Sequence, residues 1–136
     1  MAAQPLLNED IDGARGTLAA LDFAGFDIRA AFWVFDETSG DWRFTIADPM
    51  VDAAGTHAVY ERLAAALAGR RDLVRLRDIY VTSPTDPLVS LVQSAINTPA
   101  NANGGINFRG NVALGTAVPD MYILRMYRPQ NATVVP

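Results

Sequence analysis

The sequence predicts an α+β domain: a single mixed β-sheet of about five strands with about three helices, in the order α-β-β-α-β-α-β-β. Three observations carry this. Residues 28–47 alternate on both sides of the turn "ETSGD", with the period of two that marks paired strands. Later segments repeat apolar residues at spacings of three and four behind a capping residue, and so read as helices. Hairpin-like pairs at both ends of the order fit one sheet with helices on a face. The 136 residues suit one domain, because two would each be marginal. Residues 1–136 are therefore read as a unit, with a frayed tail over about 129–136, "PQNATVVP".

Residues 8–24 read as the first helix. Asn8 is its expected N-cap, and Glu9, Asp10 and Asp12 suit the positive end of the helix dipole. Ile11, Ala14, Leu18 and Leu21 recur at helical spacing, and Gly25 is placed to end the helix. Gly13 and Gly16 each weaken it by roughly 1 kcal/mol relative to Ala.

In the hairpin, a three-residue loop of Thr38, Ser39 and Gly40 sets Val34 opposite Phe44 and Phe32 opposite Ile46. Those four residues then form one wholly apolar face, with Trp33, Phe35 and Arg43 on the reverse. A four-residue loop would set Val34 opposite Arg43 and mix the faces. Register follows burial, so the first pairing is the expectation.

"ADPMVDAAGT" reads as a connection, with Thr56 capping a helix from His57 to about Ala68. Val59, Leu63 and Leu67 form its core stripe, and Gly69 ends it. "RDLVRLRD" fits loop or strand. "DIYVTS" is a short strand with Ile79 and Val81 on one side and Tyr80 and Thr82 on the other. Asp86 and Pro87 open a helix over 86–97. "NTPANANGG" is a loop. "INFRGNVALG" alternates as a strand with a kink at Gly110, and "MYILRMYR" is the last strand. The third strand, third helix and fourth strand suggest a right-handed parallel crossover.

Composition excludes several chemistries. The chain has no Cys, which removes disulfides, thiolate nucleophiles, zinc–thiolate sites and iron–sulfur clusters. All 11 basic residues are Arg. Without Lys there is no P-loop, no Schiff base and no Ser–Lys acyl transfer. A net charge of −4 argues against nucleic-acid binding by the whole surface. No apolar run reaches the roughly 18 residues of a membrane span, and the acidic start "MAAQPLLNEDIDG" is unlike a secretory signal. The expectation is a cytoplasmic bacterial protein.

Three candidate sites emerge. Trp33, Phe35 and Arg43 offer an aromatic–cation face for a partner, although burial under a helix explains them more simply. Ser83 and Thr85 in "SPTDP" sit where helix amides can hold an anion, with Arg109 as a possible neighbour. The glycines of a phosphate loop are missing, so a plain helix start is favoured. Arg70, Arg71, Arg75 and Arg77, joined by Arg109, Arg125 and Arg128, form the basic cluster, without any accompanying nucleic-acid signature. The sole histidine, His57, reads as a surface residue. No catalytic set, metal site or cofactor site can be assembled from the sequence.

The run "IRAAFWVFDETSGDWRFTIADPMVD", followed by a Gly-led amphipathic helix, resembles a set of small uncharacterised bacterial proteins with an acidic first helix and a Trp-bearing hairpin. The resemblance implies a cytosolic single domain and brings no activity, cofactor or catalytic residue. The functional expectation is a non-enzymatic binding or protein-interaction module that self-associates through a sheet edge or the hairpin face. The first alternative is an enzyme or nucleotide-binding protein acting on a small anion. The second is a regulator contacting nucleic acid through the Arg cluster.

Overall fold

A computed structural model describes residues 5–109, 112–113 and 116–129. Among them the element order is α1 (Asn8–Phe23), β1 (Ala30–Asp36), β2 (Asp41–Ala47), α2 (Met50–Ala66), β3 (Ile79–Thr82), α3 (Pro87–Gln93), β4 (Ile106–Phe108), β5 (Val112–Ala113), β6 (Thr116–Ala117) and β7 (Met121–Met126). The main sheet has five strands in the order β3-β2-β1-β7-β4, and β5 and β6 pair separately. β1 runs antiparallel to β2 and β7, β4 antiparallel to β7, and β3 parallel to β2. The α+β class and the mixed sheet are as the sequence predicts, with the short β5–β6 ribbon added. The tail, the kink at Gly110 and the end of "INFRGNVALG" lie outside the described residues.

The sheet separates two apolar cores. On one face α1 and α2 bring Leu18, Leu21, Val59 and Leu63 onto Ala31, Trp33, Phe44 and Ile46. On the other, Val89 and Val92 of α3 meet Ala30, Phe32, Ile123 and Met126. Burial of each large aliphatic side chain contributes about 1.5–3 kcal/mol.

Double-sided burial corrects the expected register. Val34 pairs with Arg43, Trp33 with Phe44 and Phe32 with Thr45, so the loop is the four residues 37–40. The Gly40 N–H donates to the Asp36 carbonyl at 2.8 Å, and Gly40 has φ 76°, a conformation glycine adopts without strain. An Asp36 carboxylate oxygen accepts from the Thr38 N–H at 2.9 Å. Phe32, Val34, Phe44 and Ile46 do not share a face. Phe44 and Ile46 face α1 and α2, whereas Phe32 and Val34 face α3. The one-apolar-face argument holds for a sheet buried on one side. Here each face of β1 needs its own large side chain.

α1 ends as predicted, at Gly25: the Phe26 N–H reaches the Leu21 carbonyl at 3.0 Å, and the Gly25 N–H reaches that of Asp22 at 3.1 Å. This double closure is a Schellman motif. Its start differs, since Leu7 occupies the N-cap position and the Asp10 carboxylate folds back onto the Leu7 N–H at 3.3 Å. Gly16 lies where segment 72–74 crosses the helix, and a Cβ there would stand 2.8 Å from Leu73 Cδ2. The Thr17 hydroxyl, fully buried, accepts from the Val74 N–H at 2.9 Å and fastens that segment.

α2 begins within the expected connection, at Met50, and Gly55 at φ 87° breaks it into two helical pieces. The Asp48 carboxylate starts the first piece by accepting the Met50 N–H at 2.8 Å. α3 stops at Gln93, short of the expected residue 97, and its Asp86 cap accepts from the Leu88 N–H at 2.9 Å. The expected parallel crossover from β3 to β4 does not form. Those strands lie at opposite edges and run antiparallel, and the parallel neighbours are β2 and β3, joined through α2.

β7 carries a bulge. Arg125 pairs with Ala31 and Ile123 with Phe32, leaving Leu124 as the extra residue. Arg125, 1% exposed, thereby points toward α1 and forks onto the Asp22 carboxylate at 2.9 and 2.7 Å. It also donates to the Ile28 carbonyl at 3.1 Å and to the Ala102 carbonyl at 2.9 Å. Arg125 is thus a structural clamp and is removed from the expected basic surface.

Candidate binding site

The segments that open α1, close the hairpin and lead into β3 meet at one end of the sheet. Two hollows, of about 570 and 350 Å³, lie there. Trp33, Asp10 and Asp78 line both. Glu9, Arg71 and Arg75 complete the larger wall, and Asp41 belongs to the smaller. Asp10 and Glu9 arrive on the first turn of α1, Asp41 on the first residue of β2, and Asp78 on the short 3₁₀ turn Leu76–Asp78.

Trp33 is the floor. It is only 6% exposed and packs against Phe44 with ring centroids 5.3 Å apart. Among the described residues its buried indole Nε1 has no hydrogen-bond partner. Leaving such a donor dry costs about 1–3 kcal/mol. The wall carries more negative than positive charge. Asp72 is committed to Arg70 at 2.9 Å, and that guanidinium's hydrogen bond holds its carboxyl below the usual value. Among the described residues Glu9, Asp10, Asp41 and Asp78 form no ion pair, and neither do Arg71 and Arg75. Among the described residues no three His, Asp or Glu side chains are placed to hold a metal ion.

The sequence-predicted sites divide differently. Trp33 and Phe35 share the α1 side of the sheet, where Phe35 meets Trp42 edge-on at 5.4 Å. Arg43 lies on the opposite face, bridged to Asp36 at 3.0 Å and 5.5 Å over the Tyr80 ring. A common Trp33–Phe35–Arg43 surface therefore does not form. Ser83 follows β3 and Arg109 follows β4, at opposite edges and opposite ends of the sheet. Four strand spacings alone separate them by roughly 19 Å. The Ser83 hydroxyl donates to the Asp52 carboxylate at 2.8 Å and shares a 2.8 Å bond with the Thr85 hydroxyl. That acidic setting is unlike an anion cradle. Arg109 instead borders a separate hollow of about 310 Å³ with Trp42, Asp120 and Tyr122.

The basic cluster is also divided. Arg70 is paired with Asp72. Arg71 and Arg75 stand over the acid-lined cleft, and Arg77 borders another hollow beside Tyr60. Arg75 lies just before the 3₁₀ turn and Arg77 within it, so neither decorates a strand edge. His57 is on the surface, 3.7 Å from Glu61 on the next helical turn. A further cleft of about 290 Å³ lies beside α3, bordered by Phe32, Tyr80 and Leu88. Its carboxylates are engaged, Asp36 with Arg43 and Asp86 with the Thr82 hydroxyl at 3.0 Å.

Sequence reasoning missed Glu9, Asp10, Asp41 and Asp78 as one constellation. Each has a sufficient local explanation, as a helix-start or turn acid. The available signal was the buried-strand pattern around Trp33, whose indole nitrogen needs an acceptor wherever the ring is enclosed.

The chain matches no protein-family model, no curated protein and no solved structure. Among the described residues no helix is long and apolar enough to cross a membrane.

Proposed function

We propose that this protein is a non-enzymatic binding module of the bacterial cytoplasm whose site is the cleft over Trp33. The observation that carries this reading is the pair of hollows over Trp33, bordered by Glu9, Asp10, Asp41 and Asp78, which form no ion pair among the described residues. Open volume bordered by an aromatic side chain and by charges outside ion pairs suits a small-molecule occupant. Self-association through a sheet edge belongs to the same reading, because β3 and β4 stand at the two edges of the five-stranded sheet.

The test is a ligand panel read by melting temperature and Trp fluorescence. A ligand that prefers the folded state raises the melting temperature, and one that occupies this cleft also changes Trp33 emission. A stabilising ligand that leaves the emission of the Trp42→Phe protein unchanged would move the site elsewhere. Size-exclusion mass at two concentrations tests self-association, and a single-chain mass at both would remove it.

A further inference from the structure

We infer that Asn103 is a site of spontaneous deamidation that the native fold holds shut, and that its conversion releases segment 97–105 from α1 and β7.

Sequence supplies the reactivity. Asn103–Gly104 is the one Asn–Gly step in the chain. At such a step the deprotonated main-chain nitrogen of Gly104 attacks the side-chain amide carbon of Asn103. A C–N bond forms, ammonia leaves, and a five-membered succinimide results. Water then opens the ring to aspartate or isoaspartate. Glycine has no Cβ to crowd the attack.

Structure supplies the restraint. The attacking nitrogen is occupied, because the Gly104 N–H donates to the Leu124 carbonyl of β7 at 3.2 Å. The leaving amide is occupied too, because Asn103 Nδ2 donates to the Arg15 carbonyl of α1 at 3.0 Å. Beside them, Arg125 Nε donates to the Ala102 carbonyl at 2.9 Å. Ring closure requires both of the first two bonds to break. The rest of the segment is fastened by polar contacts: the Thr98 N–H donates to the Met126 carbonyl at 2.8 Å, and the Thr98 hydroxyl accepts the Met126 N–H at 2.9 Å. Among the described residues none of 97–105 belongs to either apolar core. A segment held in this way opens at less cost than the whole domain.

Conversion removes the latch. Hydrolysis puts a carboxylate oxygen where the Nδ2 donor faced the Arg15 carbonyl, so attraction becomes repulsion. Asn103 Oδ1 is already buried with no partner among the described residues, and a charge there costs more than a neutral oxygen.

Peptide mapping after incubation at mildly alkaline pH tests this, by following aspartate and isoaspartate at position 103. The folded protein should convert about tenfold or more slowly than the urea-unfolded chain. Arg125→Met and Thr98→Val should each raise the folded-state rate by about fivefold or more, since each frees a polar contact of the segment. Thr98→Val carries this arm alone if Arg125→Met does not fold. Leu63→Ala, in the core under α1 and α2, should change the rate by less than about twofold. A folded rate equal to the unfolded one would overturn the restraint. Equal acceleration by Leu63→Ala would overturn local opening. In the purified deamidated protein, and in Asn103→Asp, the Gly104 amide should exchange about fivefold faster, and unchanged exchange in both would overturn the release.

Discussion

Replacing Arg125 should be among the most damaging single changes, and the structure sets the size of the effect. The guanidinium is 1% exposed and donates to Ile28, Ala102 and both oxygens of Asp22. In Arg125→Ala the Ile28 and Ala102 carbonyls lose this donor, at about 1–3 kcal/mol for each acceptor left dry. The Asp22 side chain is 39% exposed, so water takes over part of its solvation and its share is discounted. Lost packing of the Arg stem adds to this. A total of about 3–5 kcal/mol follows, as for a broken buried pair. Arg125→Met restores most of the volume without donors, and should still cost about 2–3 kcal/mol. The assay is urea unfolding followed by circular dichroism, with an unchanged denaturant slope as the check that only stability moved. Hydrogen exchange at the Gly104 amide, which donates to Leu124 at 3.2 Å, should rise as segment 97–105 loosens. An Arg125→Met protein within about 1 kcal/mol of wild type would refute the clamp.

Gly105→Ala should destabilise by about 1–3 kcal/mol through overpacking, because a Cβ there would overlap the Tyr122 hydroxyl and ring. Combining it with Tyr122→Leu should recover part of the loss in thermal melts, and strictly additive losses would argue against the contact. The Asp48 carboxyl is pushed up by burial, against the hydrogen bonds from the Met50 and Asp27 amides. A raised folded-state value gives stability that is full below the unfolded value near 3.8 and is lost as pH rises through the folded one. The stability difference between wild type and Asp48→Asn should therefore move against wild type as pH rises from about 3 to about 6. A pH-independent difference in urea unfolding would show that Asp48 does not titrate as its burial implies.

Local chemistry made much of the fold legible. Pro87 behind Asp86, Gly25 after the first helix, and the Ile79/Val81 alternation each act over a few residues, and each appears where expected. The hairpin register was harder. Apolar and polar residues mark a buried face only when the sheet has one, and β1 is enclosed on both sides along Ala30–Trp33. The early start of α2 depends on Asp48 reaching Met50, a contact invisible in spacing. The cleft was least legible, because residues 9, 10, 33, 41 and 78 meet only through the packing of separate segments. The Ser83, Thr85 and Arg109 grouping failed for the converse reason: sequence offers no measure of which sheet edge a strand will take.

The spare residue at Leu124 has a consequence for chain length. With it excised, Ile123 and Arg125 would still meet Phe32 and Ala31, and every flanking rung of the ladder would keep its parity. Leu124 is therefore dispensable to strand alignment. It serves packing instead: its side chain, 1% exposed, belongs to the core under α1 and α2, and its carbonyl accepts the Gly104 N–H. Shortening the strand by that one position would take a side chain from the core and release the Gly104 amide while leaving the pairing with β1 intact, separating the bulge's packing role from strand alignment.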